Sequence, residues 1–301
     1  MEYQNTTSRF LKEAFPIPSF DSYVKQRLEE LARPLACPRY ALEAEKEQLA
    51  KLHQFIQQNP YAFFERFNVM VNQMFEAQMC EMITTQSDPV YFDCLNTCCD
   101  ALGFSNMTGY VYGEEGVVDY NAMATGYLDM SWVFMSKSFR QDDLLDDLEL
   151  TFILGHELGH VAGMHTSISA ACSLEPEENR NHEYTADRAG LLAVLWRVEK
   201  QNPGCEPRAL YAKALESCTR VFHKLHILAN VKSKERYTGQ LLKLRMSDPK
   251  CAIPVEKSRR KDSHPTNYER AEALGQYIKS MDFAECIHAM WGKEHGASLK
   301  L

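Results

Sequence analysis

Residues 152–167, FILGHELGHVAGMHTS, set His156 and His160 four positions apart, with Glu157 between them. On an α-helix, positions i and i+4 lie on one face, so both imidazole rings can reach a single metal ion. Glu157 is rotated off that line and can reach a metal-bound water without ligating the metal. An ordinary helix that happens to contain two histidines is the alternative interpretation of this motif alone.

A catalytic zinc site usually has three protein ligands and one open position, so this motif needs a third ligand. The metzincin pattern has a glycine three residues and a histidine six residues after the second ligand. Gly163 fits, but the sixth position is Thr166 and the histidine is His165. If the helix continues past Gly163, His165 points elsewhere, and we therefore reject it as a ligand.

A better candidate for the third ligand lies downstream, in NHEYTADRAGLLAVLW at 181–196. Glu183 and Asp187 are four residues apart on a second predicted helix, so Glu183 can supply a carboxylate oxygen to the metal. Asp187 can accept a hydrogen bond from the far ring nitrogen of a ligand histidine, which we expect to be His156. His182 is rotated about 100° away from Glu183, and we expect it to be a bystander. The alternative is that Glu183 and Asp187 belong to a solvated acidic face, which the apolar residues Ala186, Ala189 and Leu191 beside them disfavour.

Composition narrows the class of protein. The 301 residues are 45% hydrophobic and 25% charged, which is typical of a globular chain with a substantial core. The net charge of −8 argues against nucleic acid as a partner, because phosphate binding needs a basic face. The basic run KSRRK at 257–261 is expected to be a solvated loop. The sequence shows neither an apolar run of roughly 20 residues nor the pattern of a signal peptide, so we expect no membrane span.

The ten cysteines are expected to be reduced thiols in a cytoplasmic protein, because the chain is large and carries no secretory signal. The run CLNTCC at 94–99 could hold a metal ion. We prefer buried thiols on a helix, since Cys-x2-Cys pairs are absent from the sequence.

The order of predicted elements indicates an α+β fold. Residues 20–85 have the apolar spacing of helices, residues 107–140 are rich in β-formers with glycine punctuation, and helices resume at residue 141. We expect two parts, a helical N-terminal segment over 1–105 that packs on the core and a catalytic domain over 106–301.

The combination of HELGH with the downstream EYTADR resembles metallopeptidase family 48, the gluzincins that include the CAAX prenyl protease and HtpX. DYNAMATGYLDMS is similar to the Asn-Ala-x-Ala strand of that family, and SHPTNYERAEAL at 263–274 is similar to its His-Pro-x4-Arg segment. His165 occupies a position where many members carry a histidine, five residues after the second ligand. The resemblance covers about residues 107–280.

This resemblance implies a zincin-like metallopeptidase domain with a small mixed sheet and active-site helices. It implies one Zn2+ per chain, bound by His156, His160 and Glu183. Glu157 would be the general base that takes a proton from zinc-activated water. The implied activity is that of a zinc-dependent metalloendopeptidase acting on peptide or protein substrates.

Further roles follow from the resemblance alone. His264 would lie near the metal, where it would stabilise the oxyanion or contact the zinc in a resting form. Arg270 would be structural and pair with an acidic side chain. Asn121, Ala122 and Ala124 would lie on a sheet edge along which an extended peptide binds.

The predicted absence of transmembrane helices sets this chain apart from the integral-membrane members and makes it similar to the compact soluble type, the minigluzincins. The N-terminal helices could cap the cleft, bind a partner or complete the core. Two alternative functions stay open. One is a regulatory metallopeptidase of the repressor-cleaving type, and the other is a non-catalytic binding module that contains zinc.

Overall fold

A computed structural model describes residues 25, 33–66, 69, 80–105, 107–113, 118–127, 130–140, 144–230 and 238–292. Its helices are α1 (Ala44–Gln58), α2 (Pro89–Leu102), α3 (Lys137–Arg140), α4 (Asp147–Ala162), α5 (His165–Ala171), α6 (Pro176–Gln201), α7 (Pro207–Ala229), α8 (Gly239–Met246), α9 (Asn267–Tyr277) and α10 (Met281–Trp291). Its strands are β1 (Cys80–Met82), β2 (Thr108–Tyr112), β3 (Ala122–Tyr127) and β4 (Met130–Ser136).

The four strands form one small mixed sheet in the order β1-β2-β4-β3. The β2 and β4 strands run parallel, with Tyr110 opposite Phe134, whereas β1–β2 and β3–β4 are antiparallel pairs. Strand β3 is therefore at an edge of the sheet, and it lies against α4. The structure confirms the predicted α+β class with a small mixed sheet.

One part of the helical prediction for residues 20–85 is wrong. Residues 80–82 form β1, because their backbone pairs with β2 and tertiary hydrogen bonding overrides the helical apolar spacing. Helix α1 and a further helical stretch at 60–66 agree with the prediction. Residues 33–43, 59 and 83–85 connect these elements without helical structure, and residues 20–24, 26–32, 67, 68 and 70–79 lie outside the described residues. The division of the chain at residue 105 stays a prediction.

Helix α4 runs through the centre of the protein. It begins with a capping box in which Asp146 accepts hydrogen bonds from the backbone of residues 148 and 149, while the Glu149 side chain accepts one from the Asp146 backbone. Helices α2, α6 and α7 and strand β3 pack around it. Gly159 lets α4 approach α6 closely, since a Cβ atom at this position would lie 2.7 Å from Ala186 Cα. Helix α4 is thus held rigidly against α6.

The N-terminal helix α1 belongs to a second apolar cluster beside the sheet. Its Leu49, Leu52 and Ile56 are buried together with Phe134 of β4 and Ile168 of α5. Helix α1 also contacts α6. The N-terminal helix therefore packs directly on the elements that follow the HELGH motif.

Cys94, Cys98 and Cys99 are buried free thiols on α2, as the sequence indicated for CLNTCC. Burial raises the pKa of the Cys94 thiol to about 11 and that of the Cys99 thiol to about 12. Thiols with such pKa values stay protonated at neutral pH and are unreactive. Over the described residues, the helices include none with the length and apolar content that a membrane crossing requires.

Candidate metal centre

Three side chains converge where α4 crosses α6. His156 and His160 project from α4, and Glu183 projects from α6. One ligand atom from each of the three lies within 4.8 Å of the others. The two Nε2 atoms are 3.1 Å apart, and each is 3.6 Å from an oxygen of Glu183. Two imidazole nitrogens and a carboxylate oxygen are a donor set that suits zinc, so these residues fit the metal that the motif predicts.

Asp187 lies one helical turn beyond Glu183 on α6 and faces the back of the first histidine. Its Oδ1 is 2.9 Å from His156 Nδ1 and accepts the proton of that nitrogen, which leaves the Nε2 lone pair free for a metal. Arg270 of α9 donates to both Asp187 oxygens, at 2.8 and 2.6 Å. Although burial acts in the opposite direction, Arg270 holds the pKa of Asp187 below its usual value. Asp187 is thus an ionised, fixed acceptor for His156.

Glu157 is buried beside this group and lines the same cleft. Burial raises the pKa of Glu157 to about 7, with the charge of Glu183 acting in the same direction. A carboxylate with a pKa close to the working pH is suited to take up and release a proton. The geometry therefore offers a three-ligand donor set beside a group that can transfer protons.

A comparison with protein families bears directly on this arrangement. Residues 93–176 match the model of peptidase family M48. The match supports the family that the motifs predicted and, with it, a metal-dependent peptidase. No curated protein and no solved structure matches the chain significantly.

The M48 match runs from α2 to the start of α6. It includes His156, Glu157 and His160 but ends before Glu183. The third side chain of the donor set therefore comes from a part of α6 outside the matched segment, and it reaches the M48 motif through the close packing of α4 on α6.

His165 and His182, which were not predicted to be ligands, also lie beside the candidate metal centre. His165 Nδ1 is 2.8 Å from His160 Nδ1, and the His182 ring stacks on His165 with centroids 4.0 Å apart. Burial lowers the pKa of His160 well below its usual range and that of His182 to about 3, so both rings are neutral. His165 contacts the back of His160, a candidate ligand, and its place five residues after His160 was the sequence signal for it.

The remaining predicted residues line the same cleft as the candidate metal centre. His264 Nε2 is 3.6 Å from Glu183 Oε1, and its side chain is 72% exposed. Asn121, Ala122 and Ala124 border the cleft along β3. The carbonyl oxygen of Ala124 accepts a hydrogen bond from the hydroxyl of Thr166.

The cleft has a volume of about 650 Å³ and is open to solvent. Beside the polar side chains of the donor set, its lining includes the apolar residues Tyr120, Phe139, Phe152, Ile153 and Leu225. The cleft can therefore take a chain with a polar backbone and an apolar side chain.

Proposed function

We propose that this protein is a zinc-dependent metalloendopeptidase. The observation that carries the proposal is the convergence of His156, His160 and Glu183 beside the buried Glu157, in an open cleft bordered by an edge strand. The M48 match supports the peptidase class. A cleft that is open along β3 suits the middle of an extended chain, which favours cleavage within a peptide over removal of its ends.

His156, His160 and Glu183 would hold the zinc ion. When bound, the ion would act as a Lewis acid toward the peptide carbonyl and toward water. Glu157 would take a proton from the attacking water onto its carboxylate and then pass it to the leaving amine nitrogen. The geometry supports this role, because Glu157 is buried beside the donor set and lines the same cleft.

Strand β3 would bind the substrate backbone, with Asn121, Ala122 and Ala124 beside the extended peptide. His264 projects into solvent next to Glu183, so it would donate a hydrogen bond to the oxygen on which negative charge develops. Arg270 would act mainly through Asp187, to which it donates two hydrogen bonds, and its Nη2 also lies 3.9 Å from Glu183 Oε2. The proposal includes the minigluzincin type, a catalytic domain over 106–301 and a cytoplasmic location, all of which rest on the sequence.

The test is metal content together with casein hydrolysis, measured on the wild type and on Glu157→Gln. We expect one zinc per chain in both proteins and a loss of activity of at least about 100-fold in the variant. Glu177→Gln is the matched control, because Glu177 is an exposed carboxylate in the first turn of α6. Full activity in Glu157→Gln would exclude Glu157 as the base.

The same experiment separates the proposal from a non-catalytic module. A wild type that holds one zinc ion yet cleaves neither casein nor a set of unstructured peptides would be a zinc-containing binding module. A wild type that holds no zinc would contradict the proposal at its first step.

A further inference from the structure

The N-terminal helix α1 places a carboxylate in the interior of the catalytic region. Glu45 lies in the first turn of α1, and its side chain has no exposed surface. A carboxylate this deeply buried is costly unless its oxygens are hydrogen-bonded. Both are: Oε2 is 3.2 Å from His165 Nε2, and Oε1 accepts a short hydrogen bond from the Thr185 hydroxyl.

These contacts continue to the metal-binding atoms. His165 lies between Glu45 and His160, with Nε2 toward Glu45 and Nδ1 2.8 Å from His160 Nδ1. The other ring nitrogen of His160, Nε2, belongs to the donor set with His156 and Glu183. A continuous series of hydrogen bonds therefore joins α1 to a proposed zinc ligand.

The chemistry of the groups gives this series a direction. A carboxylate only accepts hydrogen bonds, so His165 donates its Nε2 proton to Glu45. With that proton on Nε2, His165 has its lone pair on Nδ1 and accepts the proton of His160 Nδ1. His160 is left with its lone pair on Nε2, which is the form that a metal ion requires.

The neighbouring contacts fix the position of the His165 ring. His182 stacks on it with an interplanar angle of 3°. The Nε2 atom of His182 is 2.7 Å from the side-chain oxygen of Gln48, three residues after Glu45 on the same face of α1. The Gln48 amide nitrogen donates to Glu178 of α6 at 3.1 Å. Helix α1 therefore holds both members of the stacked pair.

We propose that Glu45 is a positioning residue of the metal centre, which acts through His165 to hold His160 with Nε2 toward the ion. The two proposed ligand histidines would then be oriented in different ways. His156 donates directly to the Asp187 carboxylate of α6, whereas His160 is connected to the Glu45 carboxylate of α1 through His165. The inference rests on the proposed zinc site, and it makes α1 a part of that site as well as of the core.

Glu45→Gln is the decisive variant. The Thr185 hydroxyl and His165 Nε2 face different oxygens of Glu45, and in a carboxamide only one of these two positions is an oxygen, so one of the two contacts loses its acceptor. If its NH2 group faces His165, that ring takes the opposite tautomer and donates to His160 Nδ1. The proton of His160 then moves to Nε2, where it opposes metal binding.

We expect zinc affinity, measured by competition with a chromophoric chelator, to fall about 10- to 100-fold in Glu45→Gln. The visible spectrum of the Co2+-substituted protein should change, because the spectrum reports the ligand geometry. Glu47→Gln is the matched control. Glu47 is an exposed carboxylate on the same helix that pairs only with Lys51 in the described structure, and its loss should change neither readout.

A double-mutant comparison tests whether Glu45 acts on His160 through His165. In a His165→Phe background, which itself should bind zinc more weakly, Glu45→Gln should cause no further loss of zinc affinity. If Glu45→Gln does not fold, wild-type zinc affinity in His165→Phe alone overturns the proposal. Wild-type affinity and Co2+ spectrum in a folded Glu45→Gln, even with a less stable metal-free protein, would show that Glu45 serves only the core.

These readouts do not depend on peptide hydrolysis. A wild type that binds zinc without cleaving peptides would contradict the proposed function, while the affinity of Glu45→Gln would still decide the role of Glu45. A wild type that binds no zinc would overturn both.

Discussion

Arg270 Nη2 lies 2.6 Å from Asp187 Oδ1, the same oxygen that accepts the hydrogen bond from His156 Nδ1. The guanidinium also stands over the ring of Phe222, 4.9 Å from its centroid. Arg270 thus fixes the carboxylate that in turn fixes a proposed zinc ligand. A flat group that donates two hydrogen bonds and packs on an aromatic ring is a role in which lysine does not replace arginine.

Arg270→Lys should therefore weaken zinc binding. A lysine ammonium is a single point charge, so Asp187 would lose one of the two hydrogen bonds that it accepts from Arg270. His156, which donates to Asp187, would then be less well oriented. We expect zinc affinity to fall about 10-fold or more, measured by chelator competition. Arg208→Lys, at an exposed position at the start of α7, is the control and should bind zinc like the wild type. Unchanged zinc affinity in Arg270→Lys would mean that Asp187 does not need two hydrogen bonds from one guanidinium group.

Gly159→Ala should destabilise the protein and disturb the metal centre together. The added methyl group would lie 2.7 Å from Ala186 Cα and 2.8 Å from Ala189 Cβ, so α4 and α6 must separate. Overpacking of this kind costs about 1–3 kcal/mol. We expect a lower free energy of unfolding in urea and weaker zinc binding, since the proposed ligands lie on the two separated helices.

Gly275→Ala is the matched control for this prediction. Gly275 lies in α9, and a Cβ atom there would meet nothing within 4 Å. Alanine in a helix is favoured over glycine by up to about 1 kcal/mol, so this variant should be as stable as the wild type or more stable. Equal destabilisation in the two variants would refute the packing explanation.

Zinc should stabilise the folded protein. A ligand that binds only the folded state at 100 times its dissociation constant contributes about 2.7 kcal/mol. We expect a higher melting temperature for the zinc-loaded protein than for the chelator-treated protein. His156→Ala should lose this difference, whereas His288→Ala, at an exposed position in α10, should keep it. A zinc effect that persists in His156→Ala would place the ion elsewhere.

Asp88→Asn should reveal a pH-dependent contribution to stability at the start of α2. Asp88 caps this helix by accepting from Tyr91 N at 3.0 Å, and Arg140 donates to both of its oxygens at 2.7 and 2.8 Å. Burial acts to raise the pKa of Asp88, but the Arg140 hydrogen bonds and the cap outweigh it and hold the pKa below the ordinary value of 3.8. The folded state therefore favours the ionised carboxylate.

The sign of the pH effect follows. A lowered pKa in the folded state means that the stabilisation is complete above pH 3.8 and is lost as the pH falls through the folded-state pKa. At pH 7 the loss of a charged hydrogen-bond pair should cost about 1.5–3 kcal/mol in urea unfolding. The difference between Asp88→Asn and the wild type should shrink below pH 3.8. Asp100→Asn is the control. Asp100 lies on α2, like Asp88, and forms an exposed ion pair with Lys200 of α6, so its loss should change the free energy of unfolding little at either pH.

The sequence by itself determined those features that depend on local helical geometry. The four-residue spacing of His156 and His160 places both rings on one face of α4, and the same spacing places Glu183 and Asp187 on one face of α6. Such spacing needs no knowledge of distant contacts. The match to peptidase family M48 and the α+β class could therefore be predicted from these motifs and the order of the elements.

The position of His165 depended on backbone geometry that spacing does not show. Helix α4 ends at Ala162, and Met164 takes a left-handed conformation with φ 55° that starts α5 in a new direction. The turn brings the His165 ring back onto His160. His165 was rejected as a ligand on the premise of a continuous helix, so its spacing alone could not predict that the ring contacts His160.

Only the tertiary structure showed that Glu45 contacts His165. It is separated from His165 by 120 positions and has no motif around it. The apolar spacing of α1 did not show that the Glu45 side chain is buried. The same holds for β1, whose pairing with β2 replaced a predicted helix. Contacts between distant segments arise from the packing of whole elements, so a local pattern shows which face a residue occupies but not which distant residue it meets.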